Sequence, residues 1–433
     1  TGQQVGLVLG PILFLIIVLF FDFTPGDPGP TRMAAVALLM AVWWVTDAVP
    51  LFATSLLPIV LFPLLGILSG KATAPLYINS TIFLFLGGFM IALAMEKWNL
   101  HRRIALFIIR TVGGGPNRLI LGFMIAAAFL SMWISNTATA IMMLPIGMAI
   151  VHQMDAKFSR RESHPFALAL MLGIAYACSL GGMATLVGTP PNLAFARIYE
   201  ISFPTAEPVA FGTWCVMGLP ISVVMLTVVW LLLTRVLVRV PGHLKVDRTV
   251  GDREYADLGA PSAEEKAVMT VFTLTALLWV FRNPLHLGSI SIPGWSELLP
   301  HPGMIDDGTV AVFMALVLFI IPTRSSDAPT ATLLTASGIR KLPWGIVLLF
   351  GGGFALAEGF QTSGLAGLIG GRFESLGNLP PFVMVALICL TLTFLTEVTS
   401  NTATTQMILP ILASLSVQMD VSPLLLMIPA TLS

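Results

Sequence analysis

The chain has 433 residues, of which 56% are hydrophobic and only 10% are charged. A soluble domain carries about 25% charged residues, so this composition excludes a soluble globular protein. The formal net charge is zero and the three cysteines lie in apolar stretches without metal-ligand spacing, which argues against nucleic-acid binding, a disulfide scaffold and a zinc protein.

A membrane-spanning helix needs roughly 20 apolar residues, and this chain has room for about ten such segments. The predicted spanning or half-spanning segments are, in chain order, residues 5–23, 33–49, 51–68, 81–95, 100–112, 118–134, 138–152, 165–187, 213–238, 268–281, 310–321, 344–357, 365–373, 382–396, 402–415 and 424–432. The predicted fold class is therefore an all-α polytopic membrane protein. Basic residues cluster at 102–103, 157–161 and 235–253, and the positive-inside rule predicts that these loops are cytoplasmic.

Two parts of the sequence repeat each other at a constant offset. The pentapeptide Ser-Asn-Thr-Ala-Thr at residues 135–139 recurs at 400–404, an offset of 265 residues (400 − 135). The same offset matches the double glycine at 87–88 with that at 352–353, and Gln-Met-Asp at 153–155 with that at 418–420. Apolar composition alone does not produce such polar matches. Duplicated membrane cores are typical of secondary transporters, whose binding site lies near the midplane at the repeat interface.

Residues 81–112 and 344–373 are pairs of short apolar segments at matching positions of the two repeats. We predict that each pair forms a re-entrant helical hairpin, with turns at 96–99 and 361–364. Non-helical backbone at membrane depth is tolerated only where it is buried or lines a cavity, so these hairpins point to a binding site.

Each Ser-Asn-Thr motif lies between two apolar half-segments, and we predict that it breaks a transmembrane helix. The same tripeptide is also an ordinary helix N-cap, but two copies at matching membrane positions favour a binding role. The second half-helix would present free N–H groups and the positive end of its dipole to an anion. The candidate substrate-binding residues of the motifs are Ser135, Asn136, Thr137, Ser400, Asn401 and Thr402.

The end of each first half-helix has free carbonyl groups, which suit a hard cation such as sodium together with the Ser and Asn oxygens of the motif. Ser131 and Thr396 lie one turn earlier, are repeat mates, and are further candidate ligands. A hydroxyl at such a position often bonds its own helix backbone instead. Glu397 is either a proton or sodium relay or a buried acid at a helix end.

Two anion-binding helix ends predict a substrate with two anionic groups, and a dianion at the midplane needs charge compensation. No Lys, Arg or His lies in residues 129–150, 180–192 or 394–415. Co-bound cations are the simplest remaining source of positive charge, which favours symport with sodium.

The run Gly-Thr-Pro-Pro-Asn at 188–192 breaks a later segment. Its repeat mate would fall beyond Ser433, so we expect the natural chain to continue there with a similar break.

Together with the doubled Ser-Asn-Thr motif after short hairpins, this run resembles the divalent anion/sodium symporter family. The resemblance implies inverted repeats, a homodimer, and scaffold and transport domains that work by an elevator motion. It implies succinate, malate, fumarate, citrate or sulfate as substrate. Thr189 and Pro190 become further candidate substrate-binding residues. The implied sodium ligands are Ser131, Ser135, Asn136, Gly188, Thr396, Ser400 and Asn401.

The predicted domain organisation alternates scaffold and transport segments. The segments are N-terminal scaffold helices (1–74), hairpin 1 (75–112), a connecting helix with the first half of broken helix 1 (113–134), the remainder of broken helix 1 with the following helix (135–204), scaffold helices with a polar loop at 239–266 (205–341), hairpin 2 (342–374), and broken helix 2 with a last helix (375–433).

The predicted function is symport of sodium with a C4-dicarboxylate across a bacterial inner (plasma) membrane, with sodium as the coupling ion and no cofactor. The alternatives are a sodium-independent dicarboxylate exchanger and a citrate or sulfate symporter. A channel would need a continuous polar or charged pore ring, and an enzyme would need a nucleophile with its base. The sequence shows neither pattern, and it predicts no nucleic-acid partner.

Overall fold

The computed structural model describes residues 2–241, 249–324, 332–372, 380–397 and 399–433. These residues are mostly helical and contain almost no strand, which confirms the predicted all-α class. The helices are α1 (Gly2–Phe20), α2 (Gly29–Thr46), α3 (Leu51–Thr54), α4 (Leu57–Leu65), α5 (Gly70–Thr73), α6 (Ser80–Lys97), α7 (Leu100–Val112), α8 (Pro116–Ser131), α9 (Asn136–Lys157), α10 (Arg160–Gly182), α11 (Pro190–Ser202), α12 (Phe211–Leu231), α13 (Thr249–Asp257), α14 (Ala263–Val280), α15 (Asp307–Ile320), α16 (Ala336–Ile339), α17 (Trp344–Thr362), α18 (Leu365–Arg372), α19 (Pro381–Thr396), α20 (Asn401–Gln418) and α21 (Pro423–Leu432).

The described residues also contain a short antiparallel hairpin of β1 (Leu285–Leu287) and β2 (Ile290–Ile292), which the sequence did not predict. Gly288 in its turn has φ +63°, a conformation that glycine adopts without steric cost.

Six helical segments of the described chain are long and apolar enough to cross a membrane, and five shorter helices are also apolar. α1 is one of the six, although only 11% of its apolar stretch is buried. An exposed apolar helix of this kind is stable in hydrocarbon and unfavourable in water. The predicted polytopic membrane protein is confirmed.

The chain divides into two compact units. Unit 1 comprises Thr1–Ile82, Pro190–Pro208 and Pro343–Ser433, and unit 2 comprises Phe83–Thr189 and Val209–Leu342. The second Ser-Asn-Thr motif therefore belongs to unit 1 and the first to unit 2. The predicted division into scaffold and transport segments stays a prediction.

In unit 2, α8 packs against α7 and α10, and α10 also packs against α9. Phe123 of α8 and Phe166 of α10 are fully buried in the core that these helices share. A Cβ atom on Gly181 would lie 2.1 Å from the carbonyl oxygen of Ala128, so α8 and α10 approach each other backbone to backbone. This close packing places the end of α10 beside the end of α8.

In unit 1, α17 packs against α11 and α20, and a run of three glycines in α17 brings its backbone close to three further side chains. Cβ atoms built on Gly351, Gly352 and Gly353 would lie 2.0, 2.6 and 2.0 Å from Tyr77, Ser55 and Gln406 respectively. Glycine is therefore the residue that fits at these contacts, because a side chain would displace the neighbour.

The sequence repeat is also a repeat of helix boundaries. α7 and α18, α8 and α19, and α9 and α20 form the matching pairs. Their first residues are Leu100 and Leu365, Pro116 and Pro381, and Asn136 and Asn401, each pair 265 residues apart (365 − 100, 381 − 116, 401 − 136).

Several predicted boundaries differ from the structure. The predicted segment 51–68 is two short helices, α3 and α4, because Pro58 near the start of α4 cannot donate a backbone hydrogen bond. The polar stretch 239–266 contains helix α13, which the sequence did not predict. Part of that stretch (242–248) and the predicted end of hairpin 2 (373–374) lie outside the described residues.

Candidate functional site

Each repeat contains a helix, a tight turn and a second helix where a hairpin was predicted. α6 ends at Lys97 before α7, and α17 ends at Thr362 before α18. Asn99 and Gly364 lie in the turns, have φ +56° and +75°, and are repeat mates. Asn and Gly are the residues that adopt this left-handed conformation most readily, which explains why the chain turns at these positions.

The first predicted helix break is present in unit 2. α8 ends at Ser131 and α9 begins at Asn136. Ser135 is the N-cap of α9, and its Oγ accepts a hydrogen bond from the backbone N–H of Ala138 at 3.3 Å. The first turn of α9 has N–H groups without helical partners, and its dipole is positive at this end. Thr137 is exposed beside these groups, so this end of α9 suits a carboxylate.

The second predicted break is present in unit 1. α19 ends at Thr396, α20 begins at Asn401, and Oγ of Ser400 accepts a hydrogen bond from the N–H of Ala403 at 3.4 Å. Asn401 is exposed and Thr402 is half-buried. α20 therefore offers the same helix end to an anion as α9 does.

Oxygen atoms converge at break 1 (residues 132–135). Oγ of Ser131, which is fully buried, donates a hydrogen bond to Oδ1 of Asn136 at 2.7 Å. A Cβ atom on Gly188 would lie 3.0 Å from the carbonyl oxygen of Ser131 and 2.5 Å from that of Gly182. The structure thus brings the predicted residues Ser131, Asn136 and Gly188 together. Neutral oxygens without a positive side chain are the ligands that a hard cation such as sodium prefers.

Two residues of this cluster were missed by the sequence reasoning. Gly182 ends α10, and a Cβ atom there would lie 2.6 Å from Oδ1 of Asn136. Thr185 is fully buried, and its hydroxyl hydrogen-bonds the carbonyl oxygen of Met132 and the N–H of Gly188. The available signals were a double glycine at a helix end and a threonine three residues before a glycine.

The side-chain hydrogen bonds at break 2 (residues 397–400) differ from those at break 1. Oγ1 of Thr396 donates to the carbonyl oxygens of Leu392 at 2.9 Å and Thr393 at 3.1 Å, so its hydroxyl bonds its own helix. The structure does not bring Thr396 into a hydrogen bond with Asn401. Instead the hydroxyls of Thr399 and Thr404 lie 2.8 Å apart across the break. The hydrogen bond between Ser131 and Asn136 at break 1 is therefore not repeated by their repeat mates Thr396 and Asn401.

The predicted Pro-Pro break is also present. α10 ends at Gly182, residues 183–189 are non-helical, and α11 begins at Pro190. Thr189 and Pro190 are both half-buried, and the boundary between unit 2 and unit 1 falls between them. Glu397 is exposed after the last turn of α19.

Comparison with known proteins shows what the chain resembles. The sequence model of a family described as citrate transporter matches residues 41–431. The sodium-dependent dicarboxylate transporter SdcS of Staphylococcus aureus (strain MRSA252) is 42% identical over 100% of this chain and 82% of that protein. SdcS of Staphylococcus saprophyticus is 40% identical over the same shares of both chains.

Among solved structures, the YdaH transporter of Alcanivorax borkumensis matches with a TM-score of 0.52 and 16% identity. The match covers 99% of this chain and 85% of that one. At this identity the likeness concerns the fold alone.

Proposed function

Because this chain belongs to the citrate transporter family and is of the divalent anion/sodium symporter type, we propose that it couples sodium to the uptake of a C4-dicarboxylate. Its family consists of membrane transporters and not enzymes, and its apolar helices make it an integral membrane protein. Relatives at 42% and 40% identity carry the name sodium-dependent dicarboxylate transporter, which supports a dicarboxylate as substrate. Succinate, malate and fumarate are proposed on the family resemblance.

The observation that carries the proposal is the oxygen cluster at break 1. Oγ of Ser131 and Oδ1 of Asn136 lie 2.7 Å apart, with the backbone of Gly188 packed against the carbonyl of Ser131. Sodium bound here would replace their hydrogen bond, since both oxygens have lone pairs to offer. The carbonyl of Gly182 is a further oxygen beside Gly188.

Asn136 connects the cation to the substrate through its two amide atoms. With Oδ1 turned toward Ser131, Nδ2 remains a hydrogen-bond donor for a carboxylate. Sodium that holds Oδ1 would therefore also fix the orientation of the donor. We propose that each Ser-Asn-Thr motif binds one carboxylate group through its helix N–H groups, the Asn amide and the Thr hydroxyl, and that Thr189 and Pro190 also contact the substrate.

At break 2 we propose a second sodium held by Thr396, Ser400 and Asn401. The Thr396 hydroxyl donates to its own helix in this structure, and its oxygen keeps lone pairs for a cation. Sodium would bind near each broken helix before the substrate binds. The homodimer, the scaffold and transport domains, and the elevator motion are proposed on the family resemblance.

Citrate is the second candidate substrate, because the matching family is described as citrate transporter. A sodium-independent exchanger is less well supported. It would replace the coupling cation with a fixed positive side chain, and residues 129–150, 180–192 and 394–415 contain no Lys, Arg or His.

The test is uptake of labelled succinate into proteoliposomes that contain the full-length protein, with an inward gradient of sodium or of choline. We expect uptake with sodium only. Asn136→Ala and Asn401→Ala should abolish uptake and leave the protein monodisperse, whereas Asn283→Ala, outside both motifs, should behave as wild type.

Three results would contradict parts of this proposal. Uptake without sodium that requires internal dicarboxylate would make the protein an exchanger. Sodium-driven uptake of citrate but not succinate would select the second candidate. Normal uptake by either motif variant would refute the site.

A further inference from the structure

Thr185 uses both hydrogen-bonding capacities of its hydroxyl inside unit 2. Its Oγ1 donates to the carbonyl oxygen of Met132 at 2.5 Å and accepts from the backbone N–H of Gly188 at 3.1 Å. The side chain is fully buried. A hydroxyl offers one donor and two acceptor positions, and both distances are within the normal range.

The hydroxyl hydrogen-bonds two separate backbone segments, and the Gly188 N–H also donates to the Thr185 carbonyl oxygen at the longer distance of 3.4 Å. Met132 directly follows the last residue of α8, where helix carbonyls have no helical donor. Gly188 lies in the non-helical residues 183–189. A buried backbone N–H or C=O group without a hydrogen-bond partner costs free energy of folding. Because the Thr185 hydroxyl bonds the carbonyl of Met132 and the N–H of Gly188, it holds the end of α8 and the loop 183–189 together.

The backbone at Gly188 is closely packed, so the loop 183–189 has little room to move. A Cβ atom built on Gly188 would lie 2.5 Å from the carbonyl oxygen of Gly182 and 3.0 Å from that of Ser131. The backbone of residues 183–189 therefore packs directly against the carbonyl groups of Gly182 and of the candidate sodium ligand Ser131. A shift of the end of α8 would be passed to Gly188 by the Thr185 hydroxyl and then to Thr189, the next residue.

We propose that Thr185 is a positioning residue that links sodium binding at break 1 to the placement of the loop that carries Thr189. This rests on the proposed function. Sodium held by Ser131 and Asn136 fixes the end of α8, and the Thr185 hydroxyl then fixes the loop. Coupling of this kind is reciprocal, so substrate at Thr189 tightens sodium binding by the same factor.

The test compares Thr185→Val, which loses the hydroxyl, with Thr185→Ser, which keeps it. Thr234→Val is the matched control, because Thr234 is also buried in unit 2 but its hydroxyl bonds Trp230 of its own helical segment at 2.7 Å. One readout is the rise in melting temperature caused by sodium, relative to choline, without substrate. The other is the sodium concentration for half-maximal succinate uptake, with the succinate KM at saturating sodium.

We expect Thr185→Val to raise the half-saturating sodium concentration about tenfold, as the loss of a buried hydrogen-bond partner predicts. The same variant should show a smaller sodium-induced rise in melting temperature. Thr185→Ser should restore both values, and Thr234→Val should match wild type. If the valine variant does not fold, Thr185→Cys keeps a weaker hydrogen-bonding group and should give an intermediate shift.

Wild-type sodium dependence in Thr185→Val would overturn the inference and leave the proposed function standing. Equal impairment of the valine and serine variants would also overturn it, because the hydroxyl would then not carry the link. If wild type takes up no succinate but the sodium-induced melting shift is lost in valine and restored in serine, the inference stands and the substrate is wrong. If sodium raises neither melting temperature nor uptake in wild type, both fail.

Discussion

Asn136 is the residue proposed to bind sodium through its amide oxygen and the substrate through its amide nitrogen. Its amide oxygen lies 2.7 Å from the Ser131 hydroxyl, while its amide nitrogen remains a donor at the start of α9. This arrangement needs close packing on the other side of the side chain. Gly182 provides it, because any Cβ there would lie 2.6 Å from the amide oxygen.

Gly182→Ala is therefore expected to displace the Asn136 side chain and to weaken sodium binding, although Ala favours helix more than Gly does. The measurement is the sodium dependence of uptake at matched protein amounts. Gly173→Ala is the control on the same helix. Its Cβ would lie 3.1 Å from the side chain of Met124, which can adjust, and 3.5 Å from that of Ile120, an ordinary contact distance. Unchanged sodium dependence in Gly182→Ala would show that Asn136 does not need this fit.

At the residue scale, the sequence could predict only part of the oxygen cluster at break 1, the candidate sodium site. Ser131 and Asn136 were found because the repeat aligned them with Thr396 and Asn401. Gly182 and Thr185 have no repeat mates within the chain (182 + 265 and 185 + 265 exceed 433). Their proximity to break 1 depends on how α10 packs against α8, which a linear pattern does not contain.

At the scale of elements, the two repeats share helix boundaries and the serine N-cap, but the side-chain hydrogen bond at the break differs. The link across break 1 joins Ser131 to Asn136, and the link across break 2 joins Thr399 to Thr404, each pair five residues apart. The position that matches Thr399 is Ile134, which has no hydroxyl. The two breaks therefore have matching backbones, but different pairs of polar side chains form the hydrogen bond at each break.

The hairpin turns give a prediction about elements. Asn99 has φ +56°, which a β-branched residue adopts only at a cost of about 1–2 kcal/mol. Asn99→Val should lower the melting temperature, whereas Asn99→Gly should match or exceed wild type because glycine is free in this region. Thermal melting of the purified protein compares the two. Equal melting temperatures for the valine and glycine variants would mean that the turn is not held in the left-handed conformation.

At the scale of the whole molecule, buried ion pairs join distant parts of unit 2. Nε of Arg103 in α7 lies 2.6 Å from a carboxylate oxygen of Glu265 in α14, with both side chains less than 10% exposed. Arg103 also donates to the carbonyl oxygen of Gly259 at 3.0 Å. The neighbouring pair of Arg102 and Glu254 is more open, with side-chain exposures of 43% and 28%.

Glu265→Gln should destabilise the protein strongly, by about 3–5 kcal/mol, because it leaves the Arg103 charge buried without its counter-ion. Glu254→Gln should cost at most about 1 kcal/mol, because solvent screens the exposed pair. The measurement is the melting temperature of each variant in detergent. The two variants are matched because they carry the same substitution and their glutamates pair with adjacent arginines. Similar small losses for both would indicate that water reaches Arg103 when its partner is neutral.

The sequence by itself determined the membrane class, the repeat, the two helix breaks and the hairpin turns, because apolar length, proline, glycine and helix capping are local properties that the chain records directly. Tertiary structure decided which oxygens meet at break 1, that Thr396 bonds its own helix, and that α13 forms at all. α13 has a polar sequence, and Asp252 within it lies 2.9 Å from Arg110 of α7. Such contacts depend on the approach of segments far apart in the chain, which only the packed molecule fixes.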